Sequence, residues 1–387
     1  MRIACVVHRY GPDIAGGSES HCRQIAEHLA ASHDVTVLTT CAKDHVTWKN
    51  VYPAGESLSG GVRVRRFATA RQRSLSRFTE ASEIAFSRSA SEADQQQWFR
   101  ENGPDAPGLL SYLATHGQEF DRVLFWAFRY AETYFGLPLV RDRAVLVPTV
   151  EDDPVIGFSV LRHFFSLPAG FVFLTPEEQA LVIKRMSDCL APSVVIGAGL
   201  DAVEETSASA APLDALGVRR PFLLYLGRVD PNKGCEALLR HFVRFHDAQA
   251  EPVQLVLAGP ANMPIPDHPQ VLPLGFVDDA TREALLAQAG CLVVPSRYES
   301  LSMVLLEGWN HRLAALVNGR CEVLKGQALR ANGALYYRDY DEFAHGAARL
   351  LRDGELARQL GRQGWDYVNR EYRWPHVLAK LEGLLAG

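Results

Sequence analysis

The sequence predicts an α/β chain folded as two doubly wound parallel-sheet domains, and three observations carry that prediction. Short apolar runs alternate with amphipathic stretches along most of the chain, the pattern of strand–helix–strand units. At 387 residues the chain is longer than a single core usually grows, so two domains of about 150–200 residues each are expected. A small-residue segment, Thr206 to Ala211, separates the two alternating series and reads as a linker.

The first series opens with an apolar run, Ile3 to Val7, and a polar loop containing Gly11, Pro12, Gly16 and Gly17. Cys22, Ile25, Ala26 and Leu29 then fall at helical spacing, and Asp34 to Leu38 resumes as a strand. Gly16 and Gly17 sit at the helix start, where free backbone N–H groups favour an anion, although a tight turn explains the pair equally well. Val62 to Phe67 reads as a strand, followed by Arg- and Ser-rich sequence and a helix around Ile84 to Phe99 that Asn102-Gly103-Pro104 breaks. Leu109 to Leu113 reads helical; Val123 to Trp126 and Ala144 to Val147 read as strands. Turn-rich sequence follows at Ala191-Pro192-Ser193 and Gly197 to Asp201.

The second series predicts strands at Phe222–Leu226, Val253–Leu257, Val271–Leu274, Cys291–Val294 and Ala314–Val317, with helices between. Leu238, Leu239, Phe242 and Phe245 share one side of its first helix. Helical spacing returns from Trp374 to Leu385.

Composition narrows the function classes. Hydrophobic content of 47% and charged content of 22% are ordinary for a globular protein. A net charge of −5 gives no global electrostatic case for nucleic acid. Arg63, Arg65, Arg66, Arg71, Arg73 and Arg77 cluster locally. That stretch reads as a solvated loop, with contact to an acidic lipid surface or anionic acceptor as the alternative. Seven dispersed cysteines (Cys5, Cys22, Cys41, Cys189, Cys235, Cys291 and Cys321) without Cys-x-x-Cys point to reduced thiols and a cytoplasmic location. The opening Met1 to Val7 is too short for a signal peptide, and no apolar run is long enough to span a bilayer, so any membrane association is expected to be peripheral.

Two motifs carry the chemistry. Glu299 lies on the loop leaving the strand Cys291–Val294, and Glu307, eight positions on, lies about two turns into the next helix. In open α/β sheets ligands bind at the carboxyl ends of strands, and a carboxylate there can accept two hydroxyl hydrogen bonds from a ribose diol or a sugar. Gly227-Arg228-Val229-Asp230-Pro231-Asn232-Lys233-Gly234 closes the strand Phe222–Leu226 and delivers two cations suited to a diphosphate, Arg as a bidentate fork and Lys as a point charge. Two carboxylates and two cations together describe a nucleotide-sugar.

The Gly-Arg…Lys-Gly loop followed by Glu-x7-Glu resembles the retaining group 1 glycosyltransferases of GT-B architecture. The resemblance is strong in Gly227 to Gly234, Ala258-Gly259-Pro260, Leu274 to Val277 and Pro295 to Glu307, and looser in Gly16 to Glu19 and Val147 to Pro154. It implies two Rossmann-like domains facing a cleft, with residues 1–205 on the acceptor side, 206–370 on the donor side, and 371–387 as a helix crossing back to the first domain. It also implies roles. Arg228 and Lys233 would neutralise the departing diphosphate, helped by N–H groups around Leu301, Ser302 and Met303. Glu307 would hold the ribose diol and Glu299 the donor sugar. Phe276 and Val277 would lie beside the base, though an apolar pair after a strand also reads as packing; Gly227 and Gly17 would border the diphosphate. The segment from Trp48 to Gly108 would shape the acceptor side or form a variable surface excursion. A nucleotide diphosphate sugar, with a UDP-sugar favoured, serves as donor, a carbohydrate or lipid-linked molecule as acceptor, and no cofactor is implied. With no Asp-x-Asp motif and thirteen scattered histidines, no metal site is expected.

One departure matters. Members of the family often carry a His where this chain has Glu151, which cannot donate a hydrogen bond when ionised. It motivates a competing reading, a catalytically silent nucleotide-sugar binding protein; a nucleotide-sugar epimerase on the same fold is a third. A nicotinamide dehydrogenase is disfavoured because Gly-x-Gly-x-x-Gly follows neither Val7 nor Leu226.

Overall fold

A computed structural model describes residues 1–14, 16–186, 191–203, 211–249 and 252–387. The chain divides into two compact units, Met1–Gly199 with Val377–Gly387, and Leu200–His376. The expected linker, Thr206 to Ala211, falls almost wholly outside the described residues, as does Cys189.

The first unit is an eight-stranded sheet in the order β3-β4-β2-β1-β5-β6-β7-β8. Its strands are β1 (Arg2–Val6), β2 (Asp34–Thr40), β3 (Gly55–Ser59), β4 (Val62–Phe67), β5 (Arg122–Trp126), β6 (Ala144–Val147), β7 (Gly170–Phe173) and β8 (Ser193–Val195). All neighbours are parallel except β3, an antiparallel edge strand on β4. Helices α1 (Gly17–Leu29), α2 (Leu75–Ala85), α3 (Glu92–Asn102), α4 (Pro107–His116), α5 (Ala131–Gly136), α6 (Val160–Phe165) and α7 (Pro176–Met186) connect the strands. Ile3 to Val6 and Val123 to Trp126 are buried, as befits strands covered on both faces.

Two expectations change, and one strand had no counterpart in the sequence pattern. The helix expected from Ile84 to Phe99 is two helices, because the chain turns after Ala85 and Ser91 starts α3 with a capping box closed by Asp94. Strand β3 reads Gly-Glu-Ser-Leu-Ser with its one apolar side chain exposed, so it lacks the alternation that marks a strand. The Arg-rich stretch is not a solvated loop. Arg63, Arg65 and Arg66 belong to β4, and Arg66 is buried, donating to the carbonyl of Tyr10 and the hydroxyl of Ser57. Arg71 pairs with Glu101 and Asp105, and Arg73 lies over Trp48 and Phe78.

The second unit is a six-stranded parallel sheet, β11-β10-β9-β12-β13-β14. Its strands are β9 (Phe222–Leu226), β10 (Gln254–Ala258), β11 (Val271–Gly275), β12 (Cys291–Val294), β13 (Ala315–Asn318) and β14 (Ala334–Tyr337). Around them lie α8 (Ala211–Ala215), α9 (Cys235–Asp247), α10 (Asp279–Gln288), α11 (Met303–Asn310), α12 (Glu322–Ala331), α13 (Tyr340–Arg352) and α14 (Gly354–Glu371). Numbered within the unit, the order is 3-2-1-4-5-6, the doubly wound arrangement whose direction reverses between β9 and β12. Leu238, Leu239, Phe242 and Phe245 of α9 are buried together in its core. The last helix, α15 (Trp374–Ala386), groups from Val377 onward with the first unit, where Val377, Leu381 and Leu385 are buried at helical spacing.

Among the described residues no helix is long and apolar enough to cross a membrane, and Cys5, Cys22, Cys41, Cys235, Cys291 and Cys321 are buried free thiols.

His21 ties α1 to the rest of the first unit: Trp126 Nε1 donates to its Nδ1 at 3.0 Å, which leaves Nε2 to donate to the Gly197 carbonyl at 2.9 Å. Burial lowers its pKa to about 4. The unfolded chain therefore takes up a proton near pH 6.5 that the native ring refuses, so this stabilisation is complete above pH 6.5 and is lost as pH falls toward 4. The stability gap between wild type and His21→Gln, followed by chemical unfolding, is expected to shrink by about 3 kcal/mol across that window.

Candidate functional site

The reversal point of the second sheet sets the geometry. The loop after β9 and the loop after β12 diverge from neighbouring strands and leave a crevice at their carboxyl ends. Gly234 lets the two loops touch. Its φ is +76°, and an added Cβ would lie 2.2 Å from the carbonyl oxygen of Pro295, so no larger residue fits there. One residue earlier, Lys233 Nζ donates to Glu299 Oε1 at 2.9 Å across the crevice, the Glu299 side chain mostly buried and the Lys233 side chain partly exposed. The cation and carboxylate singled out from separate motifs are thus in contact.

The rest of the β9 loop is equally fixed. Tyr225 Oη donates to the Arg228 carbonyl at 2.6 Å, and Val229 N–H donates to the Pro260 carbonyl at 2.9 Å. Gly259 (φ +146°) packs its backbone on Gly227, where a Cβ would come within 2.0 Å of the Gly227 carbonyl oxygen. Asp230 caps the short turn Pro231–Lys233 through the N–H of Asn232 and lies 3.2 Å from Arg228 Nε. Arg228 and Lys233 therefore each face a carboxylate that orients them at the strand end.

Helix α11 starts at Met303. The Ser302 hydroxyl accepts from the N–H of Leu305, and the Ser302 N–H is 3.4 Å from Gln327 Oε1. Leu301 and Ser302 thus precede the helix, and Ser302 acts as its cap. Glu307 is the fifth residue of α11, one turn into the helix rather than two. Its carboxylate forms an ion pair with Arg282 of α10, and burial raises its pKa, with Arg282 acting in the opposite direction. Arg282 was invisible in the sequence pattern because it lies 25 residues away on the preceding helix, where no spacing rule reaches. Phe276 follows β11 with 82% of its surface exposed, so it is not packing; Val277 beside it is half-buried.

Gly17 and Glu151 belong to the first unit. Gly17 is the first residue of α1, and a Cβ there would meet nothing within 4 Å, so neither its conformation nor its neighbours require glycine. Glu151 lies 3.7 Å from Arg129 Nη2, which donates to Asp153 at 2.9 Å. Its segment is held by Glu178, which accepts from the N–H groups of Val150 and Leu174 at 2.6 and 2.7 Å.

The first unit also carries a buried polar cluster at the reversal of its own sheet, between β1 and β5, that motif reasoning missed. His8 Nε2 lies 2.8 Å from Glu19 Oε1, Arg9 binds the same carboxylate, and Ser18 Oγ donates to it at 2.9 Å. Burial opposes charge on Glu19, yet His8 and Arg9 together hold its pKa below the usual range. Glu132 lies 3.7 Å from His8 Nδ1, and its burial raises its pKa well above normal. Outwardly Glu19 is only the last residue of Gly-Gly-Ser-Glu, and its charged partners His8 and Arg9 come from the loop after β1.

In the second unit, the metal-ligand types His246, Asp247 and His268 offer ligand atoms within 4.8 Å of one another. Asp247 and His268 lie 21 positions apart and meet only in the fold.

Residues 220–353 match the family described as glycosyl transferases group 1. An uncharacterized glycosyltransferase of Methanocaldococcus jannaschii is 27% identical over 168 residues, a stretch that spans 40% of this chain and 42% of that relative. Among solved structures, sucrose-phosphate synthase from Thermosynechococcus elongatus superposes with a TM-score of 0.71 at 17% identity, covering 99% of this chain and 98% of that one. A trehalose-6-phosphate protein of E. coli bound with UDP-2-fluoro glucose gives 0.71 at 12% identity over 100% and 99% of the two chains. The UDP-forming trehalose-phosphate synthase of Burkholderia xenovorans in complex with glucose-6-phosphate gives 0.72 at 13% identity over 100% of each. At these identities the likeness establishes the fold, which is GT-B.

Two substitutions probe this geometry. Gly234→Ala should destabilise the protein by at least about 1–3 kcal/mol in chemical unfolding, because strain and a clash with Pro295 act together. Gly17→Ala should leave stability within about 0.5 kcal/mol of wild type, since the added methyl meets open space.

Proposed function

We propose that the chain is a retaining glycosyltransferase that moves a sugar from a nucleotide diphosphate sugar to a carbohydrate or lipid-linked acceptor in glycan or cell-surface polysaccharide synthesis. The observation that carries this reading is the Lys233–Glu299 contact at the sheet reversal, inside a group 1 glycosyltransferase domain. In the reaction the bond between the anomeric carbon and the diphosphate oxygen breaks, and the acceptor oxygen bonds the same carbon. Negative charge gathers on the diphosphate as it leaves, so fixed cations there stabilise the transition state more than the ground state.

Arg228 and Lys233 fill that role, already oriented by Asp230 and Glu299. The free N–H groups at the start of α11 add the positive end of its dipole. Glu307 takes the ribose hydroxyls, and the ion pair with Arg282 aims its buried carboxylate. Glu299, besides holding Lys233, faces the donor sugar. The exposed Phe276 ring and the Val277 backbone lie beside the base, and Gly17, with open space at its Cα, borders the diphosphate. A UDP-sugar is the favoured donor, in keeping with the UDP-2-fluoro glucose bound to the E. coli protein. A phosphorylated sugar acceptor has a parallel in the glucose-6-phosphate of the Burkholderia xenovorans complex. Chemistry of this kind needs no divalent ion at the crevice. The buried free thiols support a cytoplasmic setting. Peripheral membrane contact finds little support in the Arg-rich stretch, whose Arg66, Arg71 and Arg73 are engaged within the protein.

A second reading, a catalytically silent nucleotide-sugar binder, rests on Glu151, which pairs with Arg129 where a hydrogen-bond donor to the sugar is usual. One experiment separates the two. Mass spectrometry of nucleoside diphosphate sugars incubated with the full chain and candidate acceptors should show transfer, reduced on the order of 10²- to 10³-fold in Lys233→Ala. Donor binding without turnover in the wild type would establish the silent reading, and isomerised or free sugar without acceptor would establish an epimerase. Glu307→Ala should mainly raise the donor KM and Glu299→Ala mainly lower kcat, and excess chelator should leave turnover unchanged.

A further inference from the structure

We infer that His246, Asp247 and His268 form a binding site for a borderline divalent transition metal of the zinc class, remote from the proposed donor crevice. His246 and Asp247 end α9, and His268 lies in the loop just before β11. In a parallel sheet, helices that follow strands return to the edge where strands begin. Arg228 and Lys233 precede α9, whereas His246 lies on its last turn, about 15–20 Å along the helix axis. The cluster therefore occupies the amino edge of the second sheet, opposite the edge that carries Lys233 and Glu299.

Three facts favour a metal over a plain surface cluster. One ligand atom from each residue lies within 4.8 Å of the other two. Ligands on a single zinc ion sit at about 2.0–2.2 Å from it, hence roughly 3–4 Å apart. Asp247 Oδ1 already lies 3.8 Å from His268 Nε2, and its side chain, 66% exposed, is free to rotate. Second, His246 Nδ1 is shielded from solvent and has no hydrogen-bond partner among the described residues, a cost that coordination or a bridging water removes. Third, the two imidazoles approach edge to face, with ring centres 5.2 Å apart and planes at 82°, so they do not stack against each other and can converge on a common point.

Ligand chemistry selects the ion class. Two imidazoles with one carboxylate suit zinc, cobalt or nickel, and are poorly matched to magnesium or calcium, which take oxygen ligands. Gln270 N–H donates to His268 Nδ1 at 3.2 Å, leaving Nε2 as the nitrogen facing Asp247 Oδ1 at 3.8 Å. On binding through Nε2 the ring proton moves to Nδ1 and that long hydrogen bond is given up. Because α9 and the β11 loop come from separate βα units, a shared ion would staple them and stabilise the amino edge of the sheet.

The test uses the full, untagged chain freed of metal by chelator and then titrated with Zn²⁺ by calorimetry and with Co²⁺ by visible absorption. One ion per chain is expected, with a cobalt d–d band and a raised thermal midpoint in Zn²⁺. His268→Ala should lower Zn²⁺ affinity at least 10-fold and abolish the cobalt band. Asp247→Asn, a change at an exposed side chain that leaves the core intact, should lower affinity by a smaller factor and leave the midpoint without metal unchanged. Absence of saturable Zn²⁺ binding in the wild type would overturn the inference, as would equal affinity in wild type, Asp247→Asn and a folded His268→Ala. Donor turnover is a separate readout, so failure here leaves the proposed transfer reaction standing.

Discussion

The backbone of Gly234 pressed against the carbonyl of Pro295 is the constraint from which the candidate site follows. Two loops that leave adjacent parallel strands in opposite directions would normally splay apart. A residue without a side chain, in a left-handed conformation, allows them to meet. Lys233 then reaches Glu299, and a cation and an acid are held at the crevice before any ligand arrives. Preorganisation of this kind is what makes fixed charge effective in a transition state, because no reorientation is needed when the diphosphate departs.

Around that contact the second unit uses carboxylates in two ways. Asp230 and Glu299 orient cations, while Glu307 is itself held by Arg282. Burial alone would favour a protonated Glu307, and the neighbouring guanidinium opposes that tendency. The ion pair thus partly offsets burial and fixes the carboxylate against α10. The first unit contains a related contrast, with Glu19 charged beside His8 and Arg9 and Glu132 driven toward its neutral form by burial.

The sequence made the strand ends legible because buried parallel strands are continuous apolar runs, and Phe222–Leu226 and Cys291–Val294 are read directly. The residues that follow such runs are then placed at the carboxyl edge by topology alone, which is why Arg228, Lys233 and Glu299 could be picked out together. What escaped was everything fixed by long-range partners. Strand β3 is polar and exposed and borrows its conformation from β4. Arg282 and Glu307, like His246 and His268, come from different βα units, and His8 meets Glu19 across the loop after β1 and Glu132 from α5, so no local periodicity announces them. The Arg-rich stretch misled for the opposite reason: charge suggested solvent, whereas guanidinium groups such as Arg66 and Arg73 can be buried when carbonyls and aromatic faces receive them.

The most direct check on a preformed anion grip at the second sheet is calorimetric titration of the full chain with UDP, GDP, ADP and CDP. At least one of them, UDP foremost, should bind saturably, and the Arg228→Ala/Lys233→Ala double variant should bind it at least 10-fold more weakly while remaining folded. Failure of every nucleoside diphosphate to bind the wild type, or undiminished affinity in the double variant, would contradict the assignment.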